Sequence, residues 1–423
     1  MLDFWKNKRI LVTGHTGFKG SWLTEALLLA GAEVTGYALE PPTDPSLFEL
    51  LKLKDRMRSV TGDVRDLGHL LEVFRETQPE FVLHMAAQPI VRLSYREPVM
   101  TYETNVMGTV NICECVRQSP GVRSFLNVTT DKVYENGEKG TGFVETDRLD
   151  GYDPYSNSKS CSELVTHGYV RSFLNVTTDK VYENGEKGTG FVETDRLDGY
   201  DPYSNSKSCS ELVTHGYVRS FLKEQGVAVS TARAGNVIGG GDFAPDRIVP
   251  DCVRAAQSGS PLVLRNPDSV RPFQHVLEPV MVYLDILEKQ AADPSLAGAY
   301  NVGPDLSDCV RTGELAQLFA DAWNREEAER EGSAADGSGE DRVPGAGGPG
   351  KFRIEIRPDG GPHEAGFLRL ECGKLKEIFG WEARWHIAEA VQKTADWSRA
   401  WLRGEDMIRV TDAQIREFLR EDK

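Results

Sequence analysis

The sequence lacks the features of a membrane, secreted or nucleic-acid-binding protein. It has no apolar run of membrane length, and Met1-Leu-Asp-Phe-Trp-Lys leads directly into a predicted strand with no signal peptide. Its seven cysteines show no paired metal-binding spacing, and its 49 basic residues are outnumbered by 65 acidic ones. We therefore expect a reduced, cytoplasmic protein with no metal site and with neither nucleic acid nor membrane as a partner.

A block of 48 residues is present twice, back to back and without one difference, at 123–170 and 171–218. Solenoid repeats diverge in sequence and need about three units to close a core, so this is not a repeat architecture. The pentapeptide Val-Arg-Ser-Phe-Leu stands at 122, 170 and 218, which indicates a tandem duplication through that shared segment. One copy is therefore expected to be surplus.

A glycine-rich turn joins the first predicted strand, Arg9–Thr13, to an apolar helix at 21–30. Gly14-His-Thr-Gly17-Phe-Lys-Gly20 lets the backbone approach a pyrophosphate at the N-terminus of that helix. The spacing is G-x-x-G-x-x-G rather than the commoner G-x-G-x-x-G, and a structural turn is the alternative. With the next strand, Glu33–Ala38, the turn predicts a dinucleotide site.

The alternation of strands and helices predicts an α/β protein of two domains. With 423 residues, 39% of them hydrophobic and 27% charged, the chain can bury a large core. We expect a Rossmann-type doubly wound parallel sheet over 1–235, containing the duplicated block, and a smaller α/β substrate-binding domain over 236–423. Residues 325–350 are Glu/Arg-rich and then Gly/Ser/Ala/Pro-rich, so we expect a disordered surface insertion there.

Three polar residues follow successive strands on the path of a dinucleotide. Glu40 favours NAD over NADP, because a carboxylate accepts from ribose hydroxyls and repels a 2′-phosphate. Asp63 is placed to accept from an adenine amino group, although an ordinary loop aspartate is the alternative. Asn105 is interpreted as a brace for the fourth strand, at 80–88, rather than as a surface residue.

Each copy of the block carries Tyr-Ser-Asn-Ser-Lys, at 155–159 and 203–207, after a strand that ends in Thr-Thr-Asp-Lys. A tyrosine and a lysine four residues apart share one helix face. The ammonium lowers the pKa of the phenol and makes it a usable base near neutral pH. The pair alone is weak evidence, but its position downstream of the glycine turn indicates an active site. Further along, 264–275 is rich in donors suited to phosphate, with a solvated basic loop as the alternative.

Taken together, these motifs resemble the extended short-chain dehydrogenase/reductases that act on nucleotide sugars, in their 4,6-dehydratase branch. The resemblance runs from Lys8 to about Arg403, apart from the extra copy and 325–350. It is carried by Val-Thr-Gly-His-Thr-Gly-Phe-Lys-Gly-Ser-Trp, His-Met-Ala-Ala-Gln-Pro, Asp-Lys-Val-Tyr-Glu-Asn, Gly-Tyr-Asp-Pro-Tyr-Ser-Asn-Ser-Lys, Arg-Ala-Gly-Asn-Val-Ile-Gly-Gly-Gly-Asp and Arg-Pro-Phe-Gln-His-Val-Leu-Glu-Pro. Lys132 stands where the relatives that act on dTDP-glucose place Glu.

The resemblance implies a homodimeric, NAD-dependent lyase that dehydrates CDP-glucose at an early step of deoxysugar synthesis. Tyr155 would take the C4 hydroxyl proton, with Thr130 bonded to the same oxygen and Lys159 holding down the tyrosine pKa and binding ribose. Lys132 would remove the C5 proton while Asp131 protonates the departing C6 hydroxyl. The family usually has Ser at the position of Thr130, so the hydroxyl is kept. The second-copy equivalents are Thr178, Asp179, Lys180, Tyr203 and Lys207.

The glycine turn and the resemblance also assign the residues that would hold the two ligands. Those expected at the cofactor are Gly14, Thr16, Gly17, Phe18, Gly20, Asp63, Val64, Ala86, Ala87, Asn105, Tyr155 and Lys159. Those expected at the substrate and its diphosphate are Gln88, Asn236, Arg247, Arg271 and His275.

Two other functions stay open. A nucleotide-sugar 4-epimerase of the same family would use the Thr, Tyr and Lys residues but would not need Asp131 and Lys132. A non-catalytic nucleotide-sugar-binding product is expected if the duplication disrupts the site. We expect only the first copy to be catalytic, because the sheet offers one slot between the fourth strand and the strand at 227. The surplus would then be extruded at the sheet edge, between Leu174 and Gly226.

Overall fold

The computed structural model describes residues 2–128, 158–159, 172–177, 228–245, 247–296, 299–334, 353–357 and 370–420. Its centre is a sheet of eight strands, all of them paired in parallel. They are β1 (Arg9–Thr13), β2 (Glu33–Ala38), β3 (Arg58–Thr61), β4 (Phe81–His84), β5 (Ser124–Val128), β6 (Ser172–Thr177), β7 (Ala228–Ala234) and β12 (Ala299–Val302). Their spatial order is β12-β7-β6-β5-β4-β1-β2-β3.

The sheet includes the strand of both copies of the block, so the expectation of a single slot was wrong. β5 and β6 pair so that each residue lies opposite its own duplicate, as Phe125 does with Phe173. On its other side β6 pairs with β7, from Ser172 opposite Ala228 onward. The second strand is therefore inside the sheet and not extruded at its edge. A parallel sheet can accept such a strand because the pairing uses backbone hydrogen bonds alone. The residues between β5 and β6 in the sequence are also numerous enough for the crossover connection that parallel strands need.

The extra strand changes the spacing between the two halves of the sheet. β4 and β7 are separated by both β5 and β6, where a single copy would leave one strand between them. Neighbouring strands lie about 4.8 Å apart. The chain that follows β7 therefore starts about one strand spacing further from β4 than it would without the duplication.

Helices cover both faces of the sheet. In the described part of the chain they are α1 (Phe18–Leu29), α2 (Leu47–Leu50), α3 (Leu67–Thr77), α4 (Val91–Arg96), α5 (Pro98–Tyr102), α6 (Gly108–Arg117), α7 (Ile248–Ser258), α8 (Leu277–Ala292), α9 (Thr312–Ala334), α10 (Gly373–Phe379), α11 (Ile387–Leu402) and α12 (Met407–Arg420). A π turn, Glu103–Met107, joins α5 to α6. None of the described helices is both long and apolar enough to cross a bilayer.

Each face has its own core. On one face α1, α8 and α12 bury a cluster that includes Trp22, Leu284 and Phe418. On the other, α3 and α6 bury Phe74 and Ile112 against the sheet. The short apolar strands have both faces covered, which is why β1 reads as a continuous apolar run rather than an alternating one.

A third core supports the smaller domain, where three two-stranded sheets lie beside α7, α9 and α11. The sheets pair β8 (Val237–Ile238) with β11 (Gln274–His275), β9 (Leu262–Leu264) with β14 (Ile354–Ile356), and β10 (Val270–Arg271) with β13 (Val310–Arg311). The predicted boundary at residue 235 does not separate two units cleanly, because β12 returns to the main sheet beside β7. α8 and α12 also pack in the core of the first domain.

The expected disordered insertion at 325–350 was wrong over its first ten residues. α9 continues as a helix to Ala334. The Glu, Arg and Ala residues of this stretch are good helix formers, so helix propensity outweighs the lack of apolar side chains. Residues 335–350 lie outside the described part of the chain.

Candidate active site

The glycine turn packs directly against the end of β4. Gly14 has φ +74°, and a Cβ placed on it would lie 2.7 Å from the backbone nitrogen of Ala86. A Cβ on Gly20 would lie 2.1 Å from the carbonyl oxygen of Gly14. Gly17 precedes α1 with no side-chain cap, which leaves first-turn N–H groups open to an anion. This geometry fits the pyrophosphate of a dinucleotide, beside the half-buried Phe18, Ala86 and Ala87.

Side chains of the turn itself also hold it against the neighbouring strands β2 and β3. The Thr16 hydroxyl donates to the carbonyl oxygen of Leu39 at 3.0 Å. His15, which the sequence did not single out, is fully buried with its Nε2 2.8 Å from the hydroxyl of Ser59. Its ring fills the space that a side chain at Gly36 would occupy. Burial lowers the pKa of His15 to about 4, so the turn is braced by a neutral imidazole.

Acidic groups stand at the ends of β2 and β3. Glu40 accepts a hydrogen bond from the hydroxyl of Thr61 at 3.2 Å and is otherwise exposed. Asp63 is held by Arg65, whose Nη2 lies 2.6 Å from Oδ2. These hydrogen bonds from Arg65 lower the pKa of Asp63 and keep it ionised. Its predicted contact with adenine stays a prediction, as does that of the neighbouring buried Val64.

Asn105 braces the end of β4, as predicted. It lies in the π turn with no exposed surface, and its Oδ1 accepts the backbone N–H of Gln88 at 2.8 Å. Its Nδ2 donates to the carbonyl oxygen of Gln88 at 3.2 Å and to the hydroxyl of Ser158 at 2.7 Å. Asn105 therefore connects the end of β4 to the residue next to Lys159.

Lys159 of the first copy lies at the carboxyl end of the central strands. It is helical and only 2% exposed, and its Nζ donates to the carbonyl oxygen of Val128 on β5 at 3.4 Å. Thr130, Asp131, Lys132 and Tyr155 lie outside the described residues. So do the second-copy equivalents, Thr178, Asp179, Lys180, Tyr203 and Lys207.

The residues expected at the substrate are not brought together as one open surface. Asn236 is half-buried, and its Oδ1 is buried with no hydrogen-bond partner among the described residues. Arg247 lies 3.4 Å from Asp242. Gln88 uses both ends of its amide internally, with Nε2 donating to Thr101 and Oε1 accepting from the N–H of Ile90. Arg271 is 4% exposed.

The assignment of His275 to the substrate diphosphate is corrected. His275 has no exposed surface, and its ring lies edge-on between Trp22 and Trp385 at centroid distances of 5.9 and 4.7 Å. Burial lowers its pKa to about 3, so the ring is neutral. Its position between two tryptophans that are distant in sequence was not visible in the local motif.

Two family models match adjoining parts of the chain. The model described as GDP-mannose 4,6 dehydratase matches residues 11–173, and the NAD dependent epimerase/dehydratase family matches residues 165–303. The two matches overlap over residues 165–173, across the junction of the duplication, so each takes in one whole copy of the block.

Similar proteins and structures extend the match to the whole chain. CDP-glucose 4,6-dehydratase of Salmonella typhimurium is 37% identical over 99% of this chain and 98% of its own length. A dTDP-glucose 4,6-dehydratase of Xanthomonas campestris is 26% identical over 93% of this chain and 95% of its own length. The structure of dTDP-glucose 4,6-dehydratase from Bacillus anthracis with NAD has a TM-score of 0.61 at 19% identity, over 95% of this chain and 99% of that one. UDP-glucose 4-epimerase from Thermus thermophilus with NAD has a TM-score of 0.60 at 23% identity, over 92% and 99%.

The chain belongs to the extended short-chain dehydrogenase/reductase family, among its NAD-dependent nucleotide-sugar epimerases and dehydratases. Within that family it is a homologue of CDP-glucose 4,6-dehydratase. The family, the Rossmann-like sheet and the NAD dependence expected from the sequence are therefore confirmed. His84, Thr13, Thr109 and Ser158, which complete the polar contacts around Asn105, were missed because they read as ordinary strand and helix residues.

Proposed function

We propose that this protein converts CDP-glucose to CDP-4-keto-6-deoxyglucose and water. The observation that carries the proposal is the 37% identity to CDP-glucose 4,6-dehydratase over 99% of the chain. The sequence also holds the Asp131–Lys132 pair that a dehydration needs and an epimerisation does not. Bound NAD supplies reversible hydride chemistry, so a hydride can leave the sugar and return to the same molecule without net consumption of cofactor.

The residues proposed to act on the sugar come from the first copy. Tyr155 accepts the proton of the C4 hydroxyl, and the hydroxyl of Thr130 bonds to the same oxygen. The ammonium of Lys159 favours the phenolate form of the tyrosine four residues before it. Support for the first copy comes from Lys159 itself, which is buried against the end of β5 beside the cofactor strand β4.

The loss of water from C5 and C6 of the sugar is assigned to Asp131 and Lys132, which follow β5 in the sequence. Once C4 is a ketone, the proton on C5 is acidic enough for Lys132 to remove it as a neutral amine. Asp131 gives a proton to the departing C6 hydroxyl, which leaves as water. This assignment is carried by the sequence motif and predicts that solvent hydrogen enters the product at C5.

One incubation tests the proposal against the epimerase alternative. Purified full-length protein is mixed with CDP-glucose, and separately with UDP-glucose and dTDP-glucose, and the products are read by mass spectrometry and NMR. We expect loss of water and a 4-keto-6-deoxy sugar from CDP-glucose, with no net change in NAD. Interconversion of glucose and galactose nucleotides without loss of water would contradict the proposal.

A nucleotide-sugar-binding protein without turnover is the second candidate, and one observation favours it. β6 lies between β5 and β7, so the substrate-side chain after β7 is displaced from β4. In that case the protein would be folded, retain NAD and bind CDP-glucose in calorimetry, yet release no product.

We further propose a cytoplasmic homodimer that associates through the helical run at 101–118 and the helix predicted to bear Tyr155. Val99 and Met107, which lie on the helical run from α5 to α6, are 70% and 50% exposed. Exposed apolar side chains that form a contiguous patch mark a contact surface, and the proposal needs these two to belong to one. Light scattering at micromolar concentration should give twice the mass of the chain, and a monomer would contradict the assembly.

A further inference from the structure

A buried chain of hydrogen bonds links the glycine turn to the lysine of the first copy. The hydroxyl of Thr13, the last residue of β1, accepts the backbone N–H groups of Met85 and Ala86, both at 3.2 Å. The same oxygen lies 2.7 Å from Nδ1 of His84, the last residue of β4. Nε2 of His84 lies 3.2 Å from the hydroxyl of Thr109 on α6. Thr13, His84 and Thr109 have no exposed surface.

The partners on both sides fix the tautomer of His84. The hydroxyl of Thr109 donates to the carbonyl oxygen of Asn105 at 2.7 Å, so towards His84 it can only accept. The oxygen of Thr13 already accepts two N–H groups, so its own proton is left for Nδ1 of His84. Nε2 therefore carries the single proton of a neutral ring. Burial, with the Lys159 ammonium nearby, holds the pKa of His84 well below its ordinary value, which agrees with this assignment.

The other end of the chain reaches the residue next to Lys159. Thr109 holds the backbone of Asn105 inside the π turn, and π turns of this kind frequently occur at functional sites. The amide of Asn105 in turn holds Ser158 at 2.7 Å. A displacement of Thr109 is therefore transmitted through one buried residue to the backbone that carries Lys159.

We propose that His84, as the neutral Nε2–H tautomer, is a positioning residue that sets the place of Lys159 by holding Thr109 and Asn105. His84 has no exposed surface, so its role is placement rather than contact with a ligand. The inference rests on the proposed function only in taking Lys159 as the residue that binds the cofactor ribose. No role for the imidazole in proton transfer follows, because both ring nitrogens are occupied within the protein.

Two substitutions of His84 test the contacts of its two ring nitrogens one at a time. An asparagine amide reaches where Nδ1 was and a glutamine amide reaches where Nε2 was, so H84N keeps the contact with Thr13 and H84Q keeps the donor to Thr109. In the full chain, NADH affinity is measured by fluorescence titration, and thermal unfolding serves as the control for folding. We expect H84N to raise the NADH Kd about tenfold and H84Q to raise it much less, because only H84N leaves Thr109 without its donor.

A double-mutant cycle with K159M then distinguishes positioning from general destabilisation. If His84 acts through Lys159, H84N adds no further loss of NADH affinity in the K159M background. T109V, which removes this contact and also the hydrogen bond from the hydroxyl to Asn105, should lower NADH affinity at least as much, and T109S should keep wild-type affinity. Additive losses from H84N and K159M, or equal losses from H84N and H84Q, would overturn the proposal.

Imidazole NMR supplies a readout that needs neither turnover nor cofactor. With ¹⁵N-labelled histidine, His84 is expected to show a protonated Nε2 and an unprotonated Nδ1 that do not titrate between about pH 5 and 8. Titration of His84 near its ordinary pKa, or the opposite tautomer, would also overturn the proposal. Absence of CDP-glucose turnover would count against the proposed function alone, since neither the affinity cycle nor the NMR measurement depends on it.

Discussion

The two copies of the 48-residue block have one sequence and two environments. The first copy's strand, β5, lies between β4 and β6, so it pairs with the strand whose end packs against the glycine turn. The second copy's strand, β6, lies between β5 and β7, next to the chain that leads into the smaller domain. In a chain with a single copy of the block, one strand would pair with both β4 and β7. In this chain β5 pairs with β4 and β6 pairs with β7, so two strands divide those contacts between them.

Local sequence decides whether a strand forms, and the neighbours of the strand decide which contacts it can make. Among the described residues, the first copy adds the contact of Ser158 with Asn105 and that of Lys159 with Val128. Both partners belong to elements that precede or form the first copy. The first copy therefore meets the cofactor side of the site, and we infer that catalysis is built on it.

Replacing Lys159 and its equivalent Lys207, one at a time, should give the largest difference in turnover between the two copies. K159M removes the ammonium proposed to hold ribose and to favour the tyrosinate, so we expect turnover of CDP-glucose to fall by about 10²-fold or more. K207M should change turnover less than about twofold, because β6, the strand of its copy, does not pair with β4. Steady-state kinetics with matched NAD content is the measurement. A larger loss in K207M than in K159M would move the site to the second copy.

Removing one copy should restore a single strand between β4 and β7, so the effect of the extra strand on substrate affinity can be measured. Deletion of 171–218 would bring β7 next to β5, so Asn236 and the residues after it would return by about one strand spacing, 4.8 Å. We expect the KM for CDP-glucose to fall at least about tenfold with a smaller change in kcat, because displaced binding groups cost substrate affinity. An unchanged KM would mean that the extra strand does not displace the substrate side.

Several elements were predictable because their signals are local. β1 and β2 begin and end where short apolar runs meet glycine or charged residues, at Arg9–Thr13 and Glu33–Ala38. α11, Ile387–Leu402, coincides with an alternation of apolar and polar residues that has the period of a helix. Asn105 was recognised as a brace because the apolar residues around it already indicated a buried helix face.

The failures came from long-range packing. The sequence of β6 does not indicate that β6 lies inside the sheet. Its place depends on pairing with β5 on one side and with β7 on the other, and both are distant in sequence. His275 sits in a segment rich in phosphate-binding groups, yet Trp22 and Trp385 enclose it from opposite ends of the chain. His84 read as a strand residue because its partners, Thr13 and Thr109, come from two other elements.

A further prediction concerns a region outside the block, where the two copies should make no difference. Glu278, at the start of α8, accepts the backbone N–H groups of Arg384 and Trp385 through Oε1, each at 2.9 Å. Burial raises its pKa to about 7, above the ordinary 4.5 of the unfolded chain. Its contribution to stability is therefore complete below about pH 4.5 and is lost as pH rises through about 7.

E278Q keeps an oxygen acceptor for those N–H groups and cannot ionise. We expect the unfolding free energy of the wild type to fall between pH 5 and 8 by on the order of 2 kcal/mol more than that of E278Q. Thermal unfolding at the two pH values checks this. The same difference should appear in the full chain and in the chain lacking 171–218, because Glu278 lies outside both copies. Equal pH dependence of wild type and E278Q would contradict it.

The most direct measurement of the central claim compares two tyrosines that have identical sequence around them. Tyr155 and Tyr203 occupy the same position of the block, so Y155F and Y203F remove the same hydroxyl from the first and from the second copy. Turnover of CDP-glucose is measured for each variant at saturating substrate, with NAD content and thermal unfolding as controls. The account predicts that Y155F abolishes turnover and that Y203F leaves it nearly intact. The reverse result would contradict it and move every catalytic assignment to the second copy, and equal partial losses would contradict a single fixed site.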